Sequence, residues 1–203
     1  MRLKILLLIP IFFALLIGCG AKQMVIGEFY LDMKKYEKGI ETFKKDLRDN
    51  PYNASTNYYL GRFLLADGHY QEAVKYFKSA TKLGMQNADY NFWLGVAYGV
   101  SKQPHLERKS YQTALSIKKK HTQALTYLGH NQLESGEYQA ALKSYEKVLK
   151  LRPANPSALY NRGLIMKKFD RTPEEKKAWK EYLASYPSGS MARRAVNHLN
   201  VLG

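Results

Sequence analysis

Apolar residues recur three and four positions apart along most of the chain, in short runs separated by turn residues. Leu60, Gly61 and Leu64 share one helical face, and Ala73, Phe77 and Ala80 share a second. Gly68 lies between them and permits the left-handed backbone that ends a helix, so this stretch predicts a helix–turn–helix. The design returns every 34 residues at Gly27, Gly61, Gly95, Gly129 and Gly163. Ile26, Leu60, Leu94 and Leu128 precede the first four of these glycines. Sixteen residues after them come Phe43, Phe77, Tyr111, Tyr145 and Trp179, and twenty after them Leu47, Thr81, Leu115, Leu149 and Leu183. The rhythm divides the chain into units 20–53, 54–87, 88–121, 122–155 and 156–189. One helical pair cannot hide its apolar face from water, so stability arises from stacking neighbours. Within a unit the glycine permits close helix approach, and the aromatic is expected to fill the gap toward the next unit.

These units resemble the tetratricopeptide repeat. The second carries Leu60-Gly61, Gly68, Tyr70, Ala73, Phe77 and Ala80; the fourth carries Leu128-Gly129, Gly136, Tyr138, Ala141, Tyr145 and Pro153. The resemblance covers residues 20–189 and implies an all-α, right-handed superhelical solenoid. Some positions depart from it. Asp46 stands in the first unit where alanine is usual, and Pro104 takes a tyrosine position, which fits the first turn of a helix. In the last unit Arg162 replaces leucine and Glu175 replaces alanine, as expected of a unit on which less is stacked. Ala192, Ala195, His198, Leu199 and Leu202 recur at helical spacing, so residues 190–203 predict a capping helix over the end of the array.

In this family ligand contacts come from the first helix of each pair, largely at its second, fifth, ninth and twelfth positions. The resemblance therefore implies a protein-binding groove that includes Tyr58, Arg62, Phe92, Val96, Thr126, His130 and Tyr160. Met24 and Glu28 from the first unit and Leu164 from the last join the same wall. A partly aromatic trough of this kind suits a peptide or a partner helix. The subclass that grips a terminal carboxylate uses lysine, arginine and asparagine on this wall. Here Arg62 is the one cation among the mapped positions, so that clamp is not expected.

The start of the chain carries a separate signal. Arg2 and Lys4 precede an apolar run from Ile5 to Ile17. A bilayer-spanning helix needs about 20 apolar residues, so a charged start and a shorter run predict a secretory signal peptide over residues 1–18. The run closes on Leu16-Ile17-Gly18-Cys19, which resembles the lipobox of bacterial lipoproteins. That resemblance implies cleavage before Cys19 and acyl chains on its sulfur and new amino terminus. Two or more chains give stable anchoring where one does not. Residues 19–203 are then the repeat domain, tethered with almost no linker because Gly20 already opens the first unit. The absence of aspartate after Cys19 implies, by analogy with lipoprotein sorting, an outer-membrane location facing the periplasm.

Composition narrows the function further. The 203 residues are 45% hydrophobic and 24% charged, an ordinary globular balance. A single cysteine excludes a disulfide framework and cysteine-rich metal sites. The net charge of +15 favours polyanions or anionic lipid. Lys75, Lys109, Lys143 and Lys177 repeat the same period on the second helices, which places them on the outer wall. No nucleic-acid motif accompanies this charge. Catalytic chemistry is not expected. The five histidines have no metal-ligand spacing, Glu174 and Glu175 are adjacent on a helix and diverge, and neither a phosphate loop nor a serine nucleophile motif occurs. No metal or cofactor is expected. The sequence thus reads as a membrane-anchored lipoprotein that acts as an assembly scaffold for another cell-envelope protein or peptide. Two alternatives remain: a peptide or small-ligand receptor using the groove, and a basic surface component binding anionic lipid or glycan.

Overall fold

The computed structural model describes residues 19–203, with side chains from Lys22 onward. The expected signal peptide and the side chain of Cys19 lie outside the described residues. The described chain forms eleven helices and no strand. In order these are α1 (Cys19–Asp32), α2 (Tyr36–Asp49), α3 (Ala54–Ala66), α4 (Tyr70–Leu83), α5 (Ala88–Val100), α6 (Pro104–Ile117), α7 (Thr122–Glu134), α8 (Tyr138–Leu151), α9 (Pro156–Lys168), α10 (Thr172–Ser185) and α11 (Ser190–Leu202). Helices α3, α5, α7 and α9 each begin on the first residue of a sequence unit. Pro104 opens α6, where its missing N–H costs no helical hydrogen bond. No helix among the described residues is long and apolar enough to cross a membrane.

Two polar devices repeat with the helices and fix their ends. The side chains of Asn53, Asn87 and Asn155 accept N–H bonds from Thr56 at 3.0 Å, Asp89 at 2.9 Å and Ala158 at 2.9 Å, capping α3, α5 and α9. At the equivalent start of α7 the cap is a histidine, whose Nδ1 accepts from the Ala124 N–H at 3.2 Å. Each cap satisfies a donor that the first helical turn leaves without a partner. The turn inside every pair places one residue in the left-handed region: Lys34, Gly68, Lys102, Gly136 and Asp170, with φ of 51°, 85°, 57°, 75° and 53°. The N–H of the following residue then reaches back five positions. Examples are His69 to the Leu64 carbonyl at 2.8 Å and Gln103 to the Tyr98 carbonyl at 2.9 Å. This is the Schellman closure of a helix C-terminus.

The chain divides into two compact units, one ending at Ser110 and one starting at Tyr111. In the first, α3 packs on α2 and α4, α4 on α5, and α1 on both α2 and α3. Phe43, Leu60, Phe63, Leu64, Phe77 and Ala97 are buried at its centre. In the second, α7 pairs with α8 and α9 with α10, while α8 packs on α9 and α11 on α10. Its core is built around Tyr145, Val148 and Ile165, and around Trp179. A methyl group on Gly61 would sit 2.9 Å from the Phe77 ring, and one on Gly163 would sit 2.8 Å from Trp179. Phe43 and Tyr111 meet rings of the next unit, Phe43 at 5.7 Å from Tyr59 and Tyr111 at 5.8 Å from Tyr127, as the sequence suggested. At Gly61, Gly129 and Gly163 the repeated aromatic also lies over the glycine of its own pair. Glycine is needed there because the ring occupies the space of a β-carbon.

The last pair differs from expectation at Glu175. Its side chain is 3% exposed and accepts the Trp179 indole N–H at 3.0 Å. The end of the array is covered at this point: His198 of α11 stacks on Trp179 with ring centroids 4.8 Å apart and planes within 4°, and Ala192 and Ala195 are buried. Glu175 replaces alanine because the tryptophan beside it brings a donor that must be satisfied inside the protein.

Candidate functional site

The first helices of the first three pairs enclose a cleft of about 380 Å³. Met24 and Glu28 come from α1, Ser55, Tyr58 and Tyr59 from α3, and Asp89 and Tyr90 from the first turn of α5, preceded by the cap residue Asn87. The aromatic wall is continuous: Tyr58 lies 4.9 Å from both Tyr59 and Tyr90, centroid to centroid. The Ser55 and Tyr90 hydroxyls are hydrogen-bonded at 3.2 Å. Met24 stands at the mouth, 53% exposed.

Beside this wall an ion pair, with its arginine half-buried, is wrapped in aromatic faces. Arg62 on α3 donates to Glu28 on α1, which also accepts the Tyr59 hydroxyl at 3.1 Å. The guanidinium lies 4.9 Å from the Trp93 ring centroid, 5.6 Å from Tyr58 and 5.7 Å from Tyr59. Such contacts are each worth about 0.5–2 kcal/mol, the larger values in desolvated sites. Burial pushes the Tyr58 hydroxyl up to about 12; Arg62 opposes this, and the negative charges of Asp89 and Glu28 add to it. Tyr59 is raised as well, by burial first and then by Glu28. Both phenols are therefore neutral hydrogen-bond donors at any physiological pH.

The structure distributes the sequence-mapped groove residues between the two units. Tyr58 and Arg62 flank the cleft, half-buried, and Val96 is partly exposed. Phe92, by contrast, is 2% exposed and belongs to the core, while the next residue, Trp93, reaches Arg62. In the second unit Thr126 is buried with its hydroxyl on the Thr122 carbonyl at 3.0 Å. Tyr160 is 7% exposed, packed edge-on against Trp179 and Tyr182. Their hydroxyl and ring are thus engaged in packing and are not presented as a binding wall. His130 is half-buried with Nδ1 at 3.1 Å from the Tyr145 hydroxyl, and burial holds its imidazole below the ordinary histidine value against the pull of Glu134. The mapping missed Ser55 and Asp89, which occupy the second position of their helices, a contact position in this family, and Tyr90 beside them. A larger hollow of about 460 Å³ lies at the turn between α3 and α4, beside Val100–Lys102, but Tyr70 is its one aromatic residue. Lys75, Lys109, Lys143 and Lys177 are all exposed.

Repeated helical pairs with a cleft on their first helices define a helical-repeat scaffold. Its family is specific: models of the tetratricopeptide repeat match residues 26–88, 60–117 and 129–168. The chain belongs to the tetratricopeptide-repeat family, and its function at the coarse level is that of a protein-interaction scaffold. No curated protein matches the chain by sequence. Among solved structures it is similar to PilF of Pseudomonas aeruginosa (TM-score 0.78, 16% identity, 90% of this chain and 86% of that one). It is also similar to PilW, a type IV pilus biogenesis factor (0.76, 13%, 92% and 90%). A third is YrrB, a repeat protein described as having an unusual peptide-binding site (0.72, 21%, 87% and 91%). At these identities the likeness is one of fold, the superhelical solenoid of helical pairs.

Proposed function

We propose that the protein is a lipid-anchored scaffold of the bacterial cell envelope that holds a segment of another envelope protein in the cleft between α1, α3 and α5. The observation that carries the reading is the position of the cleft: one of its walls is α1, the helix that contains Cys19. At a rise of about 1.5 Å per residue, Met24 stands about 8 Å along the helix from the residue to be acylated. Acyl chains on Cys19 would hold the cleft close against the bilayer, with no flexible spacer for it to swing on. PilW offers a precedent, since a repeat array of the same fold and similar length takes part there in pilus biogenesis. YrrB offers another, for peptide binding by such an array.

Two variants of the full chain test this reading. Metabolic labelling with a palmitate analogue should mark the wild type and not Cys19→Ser, and Cys19→Ser should leave the membrane fraction. Crosslinking in cells should recover one stoichiometric envelope partner, and Tyr58→Ala should lose it with helicity unchanged. Phe92→Ala is unsuited to this purpose because Phe92 is a core residue. Absence of label, or undiminished partner recovery by Tyr58→Ala, refutes the proposal.

A further inference from the structure

Within the first unit, Met24 of α1, Ser55 of α3 and Asn87 at the start of α5 line one cleft together, so these three helices begin at the same end. Two loops close that end, joining α2 to α3 and α4 to α5. Tyr52 stands three residues before Ser55, and Met85 two before Asn87. Fully extended chain covers at most about 3.5 Å per residue, so Tyr52 lies within about 10 Å of Ser55 and Met85 within about 7 Å of Asn87. Tyr52 is 80% exposed and Met85 73%, the two most exposed large apolar side chains among the described residues of this unit. Single apolar residues scattered over a surface are ordinary. These two share one end, whereas the left-handed turn residues of the opposite end are Lys34, Gly68 and Lys102.

We propose that this end of the first unit rests on a lipid bilayer, with Tyr52 and Met85 entering the boundary between headgroups and acyl chains. The direction of the chain argues for lipid as the occupant. Residues 1–18 lie outside the described residues and lead into α1, and their apolar run from Ile5 to Ile17 closes just before Cys19. Whether that run stays in lipid or is replaced by acyl chains on Cys19, the bilayer meets the protein at the end that carries the two loops. The inference rests on the proposed function for the side on which lipid lies, and does not require acylation. The side chains suit the site: a tyrosine ring sits at headgroup level with its hydroxyl toward water, and methionine is flexible and apolar. Charge does not drive the contact. In the helical turns bordering the loops Lys22, Arg48 and Lys82 are offset by Asp46, Asp49 and Asp89, so a bilayer without anionic lipid should serve.

The test uses the full chain, produced in bacterial cells and reconstituted into phosphatidylcholine vesicles. Tyr52→Trp and Met85→Trp are compared with the parent, in which Trp179 is buried and Trp93 partly so. Both substitutions fall on exposed loop positions, and circular dichroism checks that helicity is unchanged. Phosphatidylcholine brominated close to its headgroup should quench most of the fluorescence that each substitution adds. Lipid brominated near the chain ends should quench less, and raised salt should alter neither result. Tyr70→Trp, at the start of α4 on the opposite end of the unit, should not be quenched. Added tryptophans that brominated lipid leaves bright overturn the inference, whether aqueous acrylamide reaches them or another protein shields them. So does equal quenching of Tyr70→Trp, or quenching that needs anionic lipid and vanishes in salt. If Tyr52→Trp stays bright while the palmitate analogue labels the wild type, the contact is wrong and the lipid-anchor reading stands; if it is quenched in a chain that takes no label, the reverse holds.

Discussion

The five turns inside the helical pairs make identical backbone demands and meet them with different residues, which allows strain to be measured within one protein. Gly68 and Gly136 adopt φ of 85° and 75° without penalty, whereas Lys34 and Lys102 adopt 51° and 57° with a β-carbon in place. For an L-residue with a side chain the left-handed region costs about 1–2 kcal/mol. Glycine avoids that cost but loses about 0.5–1 kcal/mol through the greater freedom of its unfolded chain. Lys102→Gly should therefore stabilise the protein by about 0.5–1 kcal/mol, the net of those two effects. The reciprocal change, Gly68→Ala, should destabilise it by a similar amount. A β-carbon on Gly68 would have nothing within 4 Å, so no steric clash contributes and the effect is purely conformational. Lys102 is exposed, so little packing is lost when its side chain is removed. Urea unfolding followed by far-ultraviolet circular dichroism reads both changes as displaced midpoints with unchanged slope. Hydrogen exchange at the Gln103 amide, bonded to the Tyr98 carbonyl at 2.9 Å, should slow in Lys102→Gly. A destabilised Lys102→Gly, or an unaffected Gly68→Ala, would show that the turns are held by their surroundings and not by residue preference.

Glu175→Ala should cost about 1–3 kcal/mol, because it strands the buried Trp179 N–H that Glu175 accepts at 3.0 Å. Glu175→Gln keeps an oxygen acceptor and should cost clearly less; thermal melts of the pair decide this. Stability should also fall as pH drops below about 6.5, the unfolded histidine value. Burial holds His130 and His198 below that value, and Lys167 depresses His198 further. The unfolded chain then binds more protons than the native one in the window between the two values. The loss should level off once pH is below both folded values. His130→Gln with His198→Gln should flatten urea midpoints between neutral and mildly acidic pH, and a double variant as pH-sensitive as the parent contradicts the assignment.

Much of the architecture was legible because spacing alone encodes it. A glycine and an aromatic sixteen residues apart specify two helices in close contact, and the 34-residue return of that pair fixed the starts of α3, α5, α7 and α9. What escaped notice were places where a different residue performs the repeated task. Lys34, Lys102 and Asp170 take the left-handed conformation that glycine announces elsewhere, and His121 replaces asparagine as a cap through its Nδ1. Their roles are backbone roles, and composition does not display them. Glu175 escaped for a different reason. A charge at a small-residue position reads as solvent exposure unless the indole that needs an acceptor, four residues on, is considered with it.

The candidate site shows where periodicity stops being informative. Adjacent residues on a helix point about 100° apart, so two neighbouring aromatics leave open which of them faces inward. In α3 the pair is Tyr58-Tyr59 and the second is buried, while in α5 the pair is Phe92-Trp93 and the first is. The choice follows chemistry. Phenylalanine has no polar atom to satisfy and enters the core, whereas Trp93 keeps its ring face toward Arg62. Tyr59 can be buried because Glu28 accepts its hydroxyl, and Glu28 is held in place by Arg62. One ion pair beside the cleft thus decides which rings remain for it. That is why a wall read from fixed repeat positions contained Phe92 and omitted Tyr90, which stands at the third position of α5 and joins the wall only when α3 and α5 are brought together.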